Sequence, residues 1–130
     1  MRKTIVCLIL LTISLLAVTA CGGAEGELGY EQITAEEAKA IMDTETDYII
    51  IDARTEEEYA EGHIEGAILI PEYEIADRAE AELPDKDALI LVYCRSGRRS
   101  KIAAEELVKL GYTDVREFGG LIDWPYETVK

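Results

Sequence analysis

Residues 88–111 read ALILVYCRSGRRSKIAAEELVKLG, and this stretch decides the fold. Its first six residues, from Ala88 to Tyr93, are apolar, as in a strand that is buried on both faces. A helix is predicted from about Arg98, because apolar residues then recur on one helical face and Gly111 supplies a C-terminal cap. A strand that leads directly into a helix is typical of α/β domains with a parallel sheet.

Strand and helix alternate through the rest of the chain as well. Capping boxes at Thr34 and Thr55 predict two helix starts, and Pro84 stops a third helix. The further strands are predicted at 48–51, 67–70 and 115–118, and the further helices at 34–43, 55–62 and 73–83. The sequence therefore predicts an α/β domain with a mainly parallel central sheet.

Residues 1–20 have the pattern of an export signal. Arg2 and Lys3 precede sixteen largely apolar residues, from Ile5 to Ala20. A membrane-spanning helix needs about 20 such residues, so a removed signal peptide is favoured over a permanent span.

The end of this segment points to a lipid anchor. Val18-Thr19-Ala20-Cys21 resembles the bacterial lipobox, whose cysteine is acylated before cleavage on its amino side. Plain cleavage after Ala20, which leaves Cys21 as a free thiol, is the alternative. We expect a lipoprotein signal at 1–20, lipidation of Cys21, a tether at 21–29 and the folded domain at 30–130. The protein would then be exported to the cell envelope and held on its periplasmic or extracellular face.

The chain is strongly acidic, with a formal net charge of −14. Residues 1–20 contain two of the 13 basic residues and none of the 27 acidic ones, so the mature chain is more acidic still. This charge disfavours nucleic acid and anionic membranes as partners, which leaves the lipid as the membrane contact. We expect a monomer. With Cys7 removed and Cys21 acylated, Cys94 would be the one free thiol, so no disulfide framework is expected.

The candidate chemistry lies in Cys94-Arg95-Ser96-Gly97-Arg98-Arg99-Ser100, between the strongest strand and its helix. Ligands of open α/β sheets bind beyond the carboxyl ends of the strands, where amides curled at a helix start hold anions. A thiol in that position is favoured as its thiolate, the nucleophilic form. Arg95, Arg98, Arg99 and Lys101 make this segment locally cationic. The simpler alternative is a buried structural cysteine followed by a solvated basic helix start.

The sequence resembles the rhodanese family at three separated motifs in the right order. The motifs are Ile51-Asp52-Ala53-Arg54 with Glu58-Tyr59, Gly62-His63-Ile64-Glu65-Gly66-Ala67 and Pro71; the segment from Cys94 to Ser100; and Phe118-Gly119-Gly120 with Trp124. Leu69 departs from the family, which often has Asn there.

The resemblance implies an α/β fold whose central, mainly parallel five-stranded sheet has helices on both faces. It also implies a sulfurtransferase of the thiosulfate sulfurtransferase type. Cys94 would accept sulfur as a persulfide and pass it to a thiol or cyanide-type acceptor. The loop would bind a small anionic sulfur donor such as thiosulfate, with no metal or organic cofactor implied. The residues assigned to this binding are Arg95, Ser96, Gly97, Arg98 and Arg99.

Three other functions are weighed against this one. A non-catalytic binding module of the same fold commonly lacks the cysteine, which this chain has. Related phosphatases place an arginine six residues after the cysteine, where this chain has Ser100. A redox partner that forms mixed disulfides would need a second nearby cysteine.

Other polar residues in the motifs are given structural roles. We expect the sole histidine, His63, to form hydrogen bonds in a turn, and Asp52 with Arg54 to form an ion pair that fixes the loop. Trp124 is expected in the core. The acidic run 56–58 is expected to be a solvated helix start that the helix dipole favours.

Mass spectrometry of Cys21 in the membrane fraction tests the proposed anchor. We expect a cleaved chain that begins at an acylated Cys21, because two or three acyl chains anchor stably where one is marginal. An unmodified Cys21 thiol would contradict lipidation.

Overall fold

A computed structural model of the protein describes residues 29–130. The predicted signal peptide, Cys21 and the tether up to residue 28 lie outside the described residues. From Gly29 to Lys130, no helix combines the length and apolar character needed to cross a membrane.

Strands and helices alternate along the described part, as predicted. The strands are β1 (Glu31–Gln32), β2 (Ile49–Asp52), β3 (Ile68–Leu69), β4 (Leu89–Cys94) and β5 (Asp114–Gly120). The α-helices are α1 (Ala35–Thr44), α2 (Glu56–Glu61), α3 (Ile75–Glu82) and α4 (Arg98–Lys109), and short 3-10 turns lie at Glu72–Glu74 and Leu121–Asp123. Both predicted capping boxes are present, at Thr34 and Thr55.

The five strands form one sheet in the order β1-β5-β4-β2-β3, and every neighbouring pair is parallel. The predicted fold class is confirmed. β1 was not located from the sequence, because two residues are too few to show an alternating pattern. β4 lies at the centre of the sheet, so its last residue, Cys94, is at the middle of the edge where the strands end.

Both faces of the sheet are covered, and successive residues of β4 contribute to opposite faces. Ile90, Val92 and Cys94 pack in the core layer that includes buried residues of α3 and α4. Leu91 and Tyr93 pack in the layer that includes Ala38 of α1 and the buried Trp124. Cys94 therefore faces the helix that follows it.

A buried polar cluster lies next to the site without reaching its sulfur. The Tyr93 hydroxyl donates to Asp52 Oδ2 at 2.7 Å and accepts the Ile64 amide at 3.1 Å. Arg54 forms the expected ion pair with Asp52 at 2.7 Å, but it also donates to the Gly62 carbonyl. The pair thus fixes the turn after α2 rather than the cysteine loop. Burial, reinforced by Asp52, raises the pKa of Tyr93, so the phenol stays neutral.

Candidate active site

The loop after β4 turns sharply into α4 at Gly97. This residue is the N-cap of the helix and has φ 104° and ψ −15°, a left-handed conformation that glycine adopts without a steric penalty. The turn brings the backbone back over the end of β4. As a result, the Gly97 amide donates to Cys94 Sγ at 3.0 Å.

Several donors converge on the Cys94 sulfur, which lies in a residue only 1% exposed. Burial raises the pKa of the Cys94 thiol, but the hydrogen bond with the Ser100 hydroxyl and the amides of Ser100, Gly97 and Ser96 outweigh burial and hold the pKa below its ordinary value. The sulfur is therefore buried, with the Gly97 amide directed at it. A lowered pKa favours the thiolate, which is the nucleophilic form of a cysteine.

The end of β5 supports the start of the loop by close backbone approach. A Cβ on Gly120 would lie 2.0 Å from the carbonyl carbon and oxygen of Arg95, although the backbone of Gly120 is ordinary extended chain. The Ile122 amide donates to the same Arg95 carbonyl at 3.2 Å. Glycine is thus required at position 120 for space rather than for backbone freedom.

A second support lies behind the sulfur. The Ser100 hydroxyl is 3.4 Å from Cys94 Sγ and 2.6 Å from Glu117 Oε1, and that oxygen also accepts the Gly119 amide at 2.8 Å. Ser100 and Glu117 are both buried. Sequence reasoning missed these two residues. The available signal was the pair of charged residues Arg116 and Glu117 in one predicted strand. Neighbours in a strand point to opposite faces, and both faces of this sheet are covered, so at least one of the two charges had to face a covered layer.

Arg99 is held by a bidentate ion pair with Glu58 of α2, at 2.7 and 2.9 Å. Glu58 also accepts the Thr55 amide in its capping box. The expectation that 56–58 form a solvated run is therefore wrong for Glu58, although its two predecessors are exposed. Hydrogen bonds from Arg99 lower the pKa of Glu58 to about 2, although partial burial raises it.

The other predicted binding residues of the loop differ in exposure. Arg95, Ser96 and Arg98 are exposed, whereas Gly97 is buried. Within residues 29–130, Arg95 and Arg98 make no ion pair, so their guanidinium groups remain available to an anion.

His63 lies in the turn after α2, where the sequence analysis expected it. Its Nδ1 is 2.9 Å from the Tyr59 carbonyl oxygen, and its ring stacks on Tyr59 with centroids 3.7 Å apart. Its backbone pairs with Val129 in an isolated antiparallel bridge. These contacts account for the histidine without a catalytic role.

Known proteins resemble this chain in sequence and in fold. The family model of the rhodanese-like domain matches residues 34–125. The thiosulfate sulfurtransferase PspE of Escherichia coli is 44% identical over 80 residues, covering 62% of this chain and 77% of that protein. The thiosulfate sulfurtransferase GlpE of Pseudomonas fluorescens is 36% identical over 91 residues, covering 70% of this chain and 80% of that protein. A solved rhodanese with anions from E. coli has a TM-score of 0.60 and 42% identity, covering 64% of this chain and 98% of that one.

The Glu58–Arg99 ion pair predicts an acid-dependent loss of stability. Because folding lowers the pKa of Glu58 from 4.5 to about 2, the pair stabilises the fold fully above about pH 4.5, and its contribution is lost as the pH falls towards 2. Glu58→Gln should lower the free energy of unfolding by about 1–2 kcal/mol near neutral pH. Urea unfolding at a series of pH values measures the difference.

The matched control for this prediction is Glu57→Gln, which makes the same charge change at an exposed position of the same helix. It should leave the free energy of unfolding almost unchanged. A gap between wild type and Glu58→Gln that stays constant down to about pH 2 would contradict the argument.

Proposed function

The chain belongs to the rhodanese-like domain family, and on that premise we propose that it moves sulfane sulfur from a small anionic donor to a thiol or cyanide-type acceptor through a persulfide on Cys94. Its sulfurtransferase relatives support a transferase of this kind. The observation that carries the proposal is the Cys94 sulfur, which receives the Gly97 amide at 3.0 Å and has a lowered pKa.

The proposed reaction has two transfer steps. The Cys94 thiolate attacks the outer sulfur of thiosulfate; a new S–S bond forms, the donor's S–S bond breaks, and sulfite leaves with the bonding electrons. The terminal persulfide sulfur now carries the negative charge, which the same ring of amides stabilises. An acceptor thiolate or cyanide then attacks that terminal sulfur, and the Cys94 thiolate is released for the next cycle.

Recognition of the donor is proposed to rest on two of the three loop arginines. Arg95 and Arg98 are exposed and present positive charge to an approaching anion, whereas Arg99 is occupied by Glu58. Because Cys94 is only 1% exposed, the site favours a donor that presents a single narrow sulfur atom, as thiosulfate does.

Two rival functions fit the site less well. A binding module has no use for hydrogen bonds that lower a thiol pKa. A phosphatase needs a cation where this chain has Ser100, which is buried and bonded to the Glu117 carboxylate at 2.6 Å.

We also propose that the protein works on the outer face of a membrane, as a monomer held by lipid on Cys21. The lipobox-like sequence at 18–21 and the acidic charge of the chain support this proposal.

Thiosulfate treatment followed by intact-mass measurement tests the persulfide. We expect the chain to gain one sulfur atom, located on Cys94 by peptide mapping. Cys94→Ser changes one atom and should abolish both the gain and the transfer to cyanide, because a hydroxyl at this position forms no persulfide. The matched control, Cys21→Ser, should keep both. Transfer of sulfur by Cys94→Ser would overturn the mechanism.

Charge neutralisation tests donor recognition. Arg98→Gln should raise KM for thiosulfate by about two- to fivefold, the size of an exposed charge interaction, and leave KM for an uncharged organic trisulfide nearly unchanged. Lys109→Gln removes the same charge from the far end of α4 and serves as control. Equal increases of KM for both donors would refute recognition by charge.

A further inference from the structure

One buried charged group has no role in the transfer steps described above. Glu117 is only 3% exposed, yet its side chain carries an ionisable carboxyl. A buried carboxylate is costly unless hydrogen bonds or nearby charges compensate. Here its Oε1 accepts the Ser100 hydroxyl at 2.6 Å and the Gly119 amide at 2.8 Å.

The contacts of Ser100 join this carboxyl to the sulfur. The hydroxyl has one proton, and the shortest of its contacts is the one to Glu117. When that proton points to Glu117, an oxygen lone pair faces Cys94 Sγ, 3.4 Å away, and accepts the thiol proton. A thiolate needs the opposite arrangement, in which Ser100 donates to the sulfur.

Glu117 also lines a cavity that does not include Cys94. This cavity, of about 430 Å³, has Gly97, Lys101 and Asp123 among its lining residues.

From this chain of contacts we propose that Glu117 takes the proton of Cys94 through Ser100 and so generates the thiolate. This inference rests on the proposed function of the loop. The S–H bond breaks and its proton passes to Ser100 Oγ, while the Ser100 hydroxyl proton passes to Glu117 Oε1. The sulfur keeps the electron pair, Ser100 stays neutral, and Glu117 becomes an uncharged acid. The site thus never holds two anions, and the proton returns when the resting thiol is restored.

Glu117 is a positioning residue in this scheme, because it acts through Ser100 and does not touch the sulfur. Other charges face the pair from neighbouring elements. Towards Glu117 these are Glu36 of α1, Lys101 of α4, Asp123 of the last 3-10 turn and Tyr30 ahead of β1; towards Cys94 the facing charge is Arg99. The variants must therefore distinguish the loss of proton transfer to Glu117 from the effect of removing any negative charge near the site.

The test is the pH dependence of sulfur loading by thiosulfate in a single turnover. In wild type, Cys94 and Glu117 share one proton, so the fraction of molecules that hold the Cys94 thiolate does not change with pH. The rate of sulfur loading should therefore become independent of pH on the acid side of its pH profile. Glu117→Gln accepts the Ser100 hydrogen bond but takes up no proton, so its rate should keep falling about tenfold per pH unit. Ser100→Ala breaks the connection at another residue and should show the same fall.

Glu36→Gln is the matched control, because it removes one negative charge from the same cavity without touching Ser100. Its rate of sulfur loading should stay independent of pH on the acid side, as in wild type. The proposal is overturned if the rate of sulfur loading depends on acid pH in the same way in wild type and in Glu117→Gln. It is also overturned if the wild-type rate falls tenfold per pH unit over the whole range.

Alkylation of Cys94 by iodoacetamide repeats the pH series without any sulfur donor. It requires the thiolate but no transfer of sulfur. An alkylation rate that is independent of acid pH in wild type, but not in Glu117→Gln, supports proton transfer through Ser100 even if thiosulfate loads no sulfur. Absence of sulfur loading at every pH would refute the proposed function and leave this proton transfer to be judged by alkylation.

Discussion

The hydrogen bond from the Gly97 amide to the Cys94 sulfur is the contact on which the site depends. It forms only if the backbone curls back over the end of β4, and that curl needs the left-handed conformation of Gly97. Curled backbone in a loop has few contacts of its own and must be held by its surroundings. Gly120 allows β5 to approach the loop, and Ser100 and Arg99 tie it to Glu117 and Glu58. The surroundings of the loop thus maintain the chemistry of the thiol.

The charged side chains of the site differ in whether they are paired within the fold or exposed to solvent. Of the three loop arginines, Arg99 is occupied by Glu58, and Arg95 and Arg98 stay exposed on an otherwise acidic protein. A cationic rim on an anionic surface directs small anions to one place, and the remaining negative surface repels them elsewhere. Behind the sulfur, the carboxylate of Glu117 has the opposite sign. The thiol therefore lies between an exposed cationic rim and a buried carboxyl group.

The parallel sheet explains why the parts of the site come together. The carboxyl ends of all five strands lie at one edge, and β4, at the centre, ends in Cys94. The helix that follows β2 supplies Glu58, and β5 itself ends in Gly120. A solved rhodanese from E. coli has a similar fold, with a TM-score of 0.60. Local loop sequence sets the reaction, and neighbouring strands set its geometry.

The sequence by itself determined what depends on neighbours along the chain. Apolar runs, capping boxes and the motif from Cys94 to Ser100 predicted the α/β fold, four of the five strands and the place of Cys94 between the central strand and its helix, because these follow from local periodicity and hydrogen bonding. Only the tertiary structure decided how the charges are used. Arg99 meets Glu58 across 41 positions, and Ser100 meets Glu117 across 17. No local pattern predicts such pairs, since a charge becomes buried only when distant segments pack over it and exclude water.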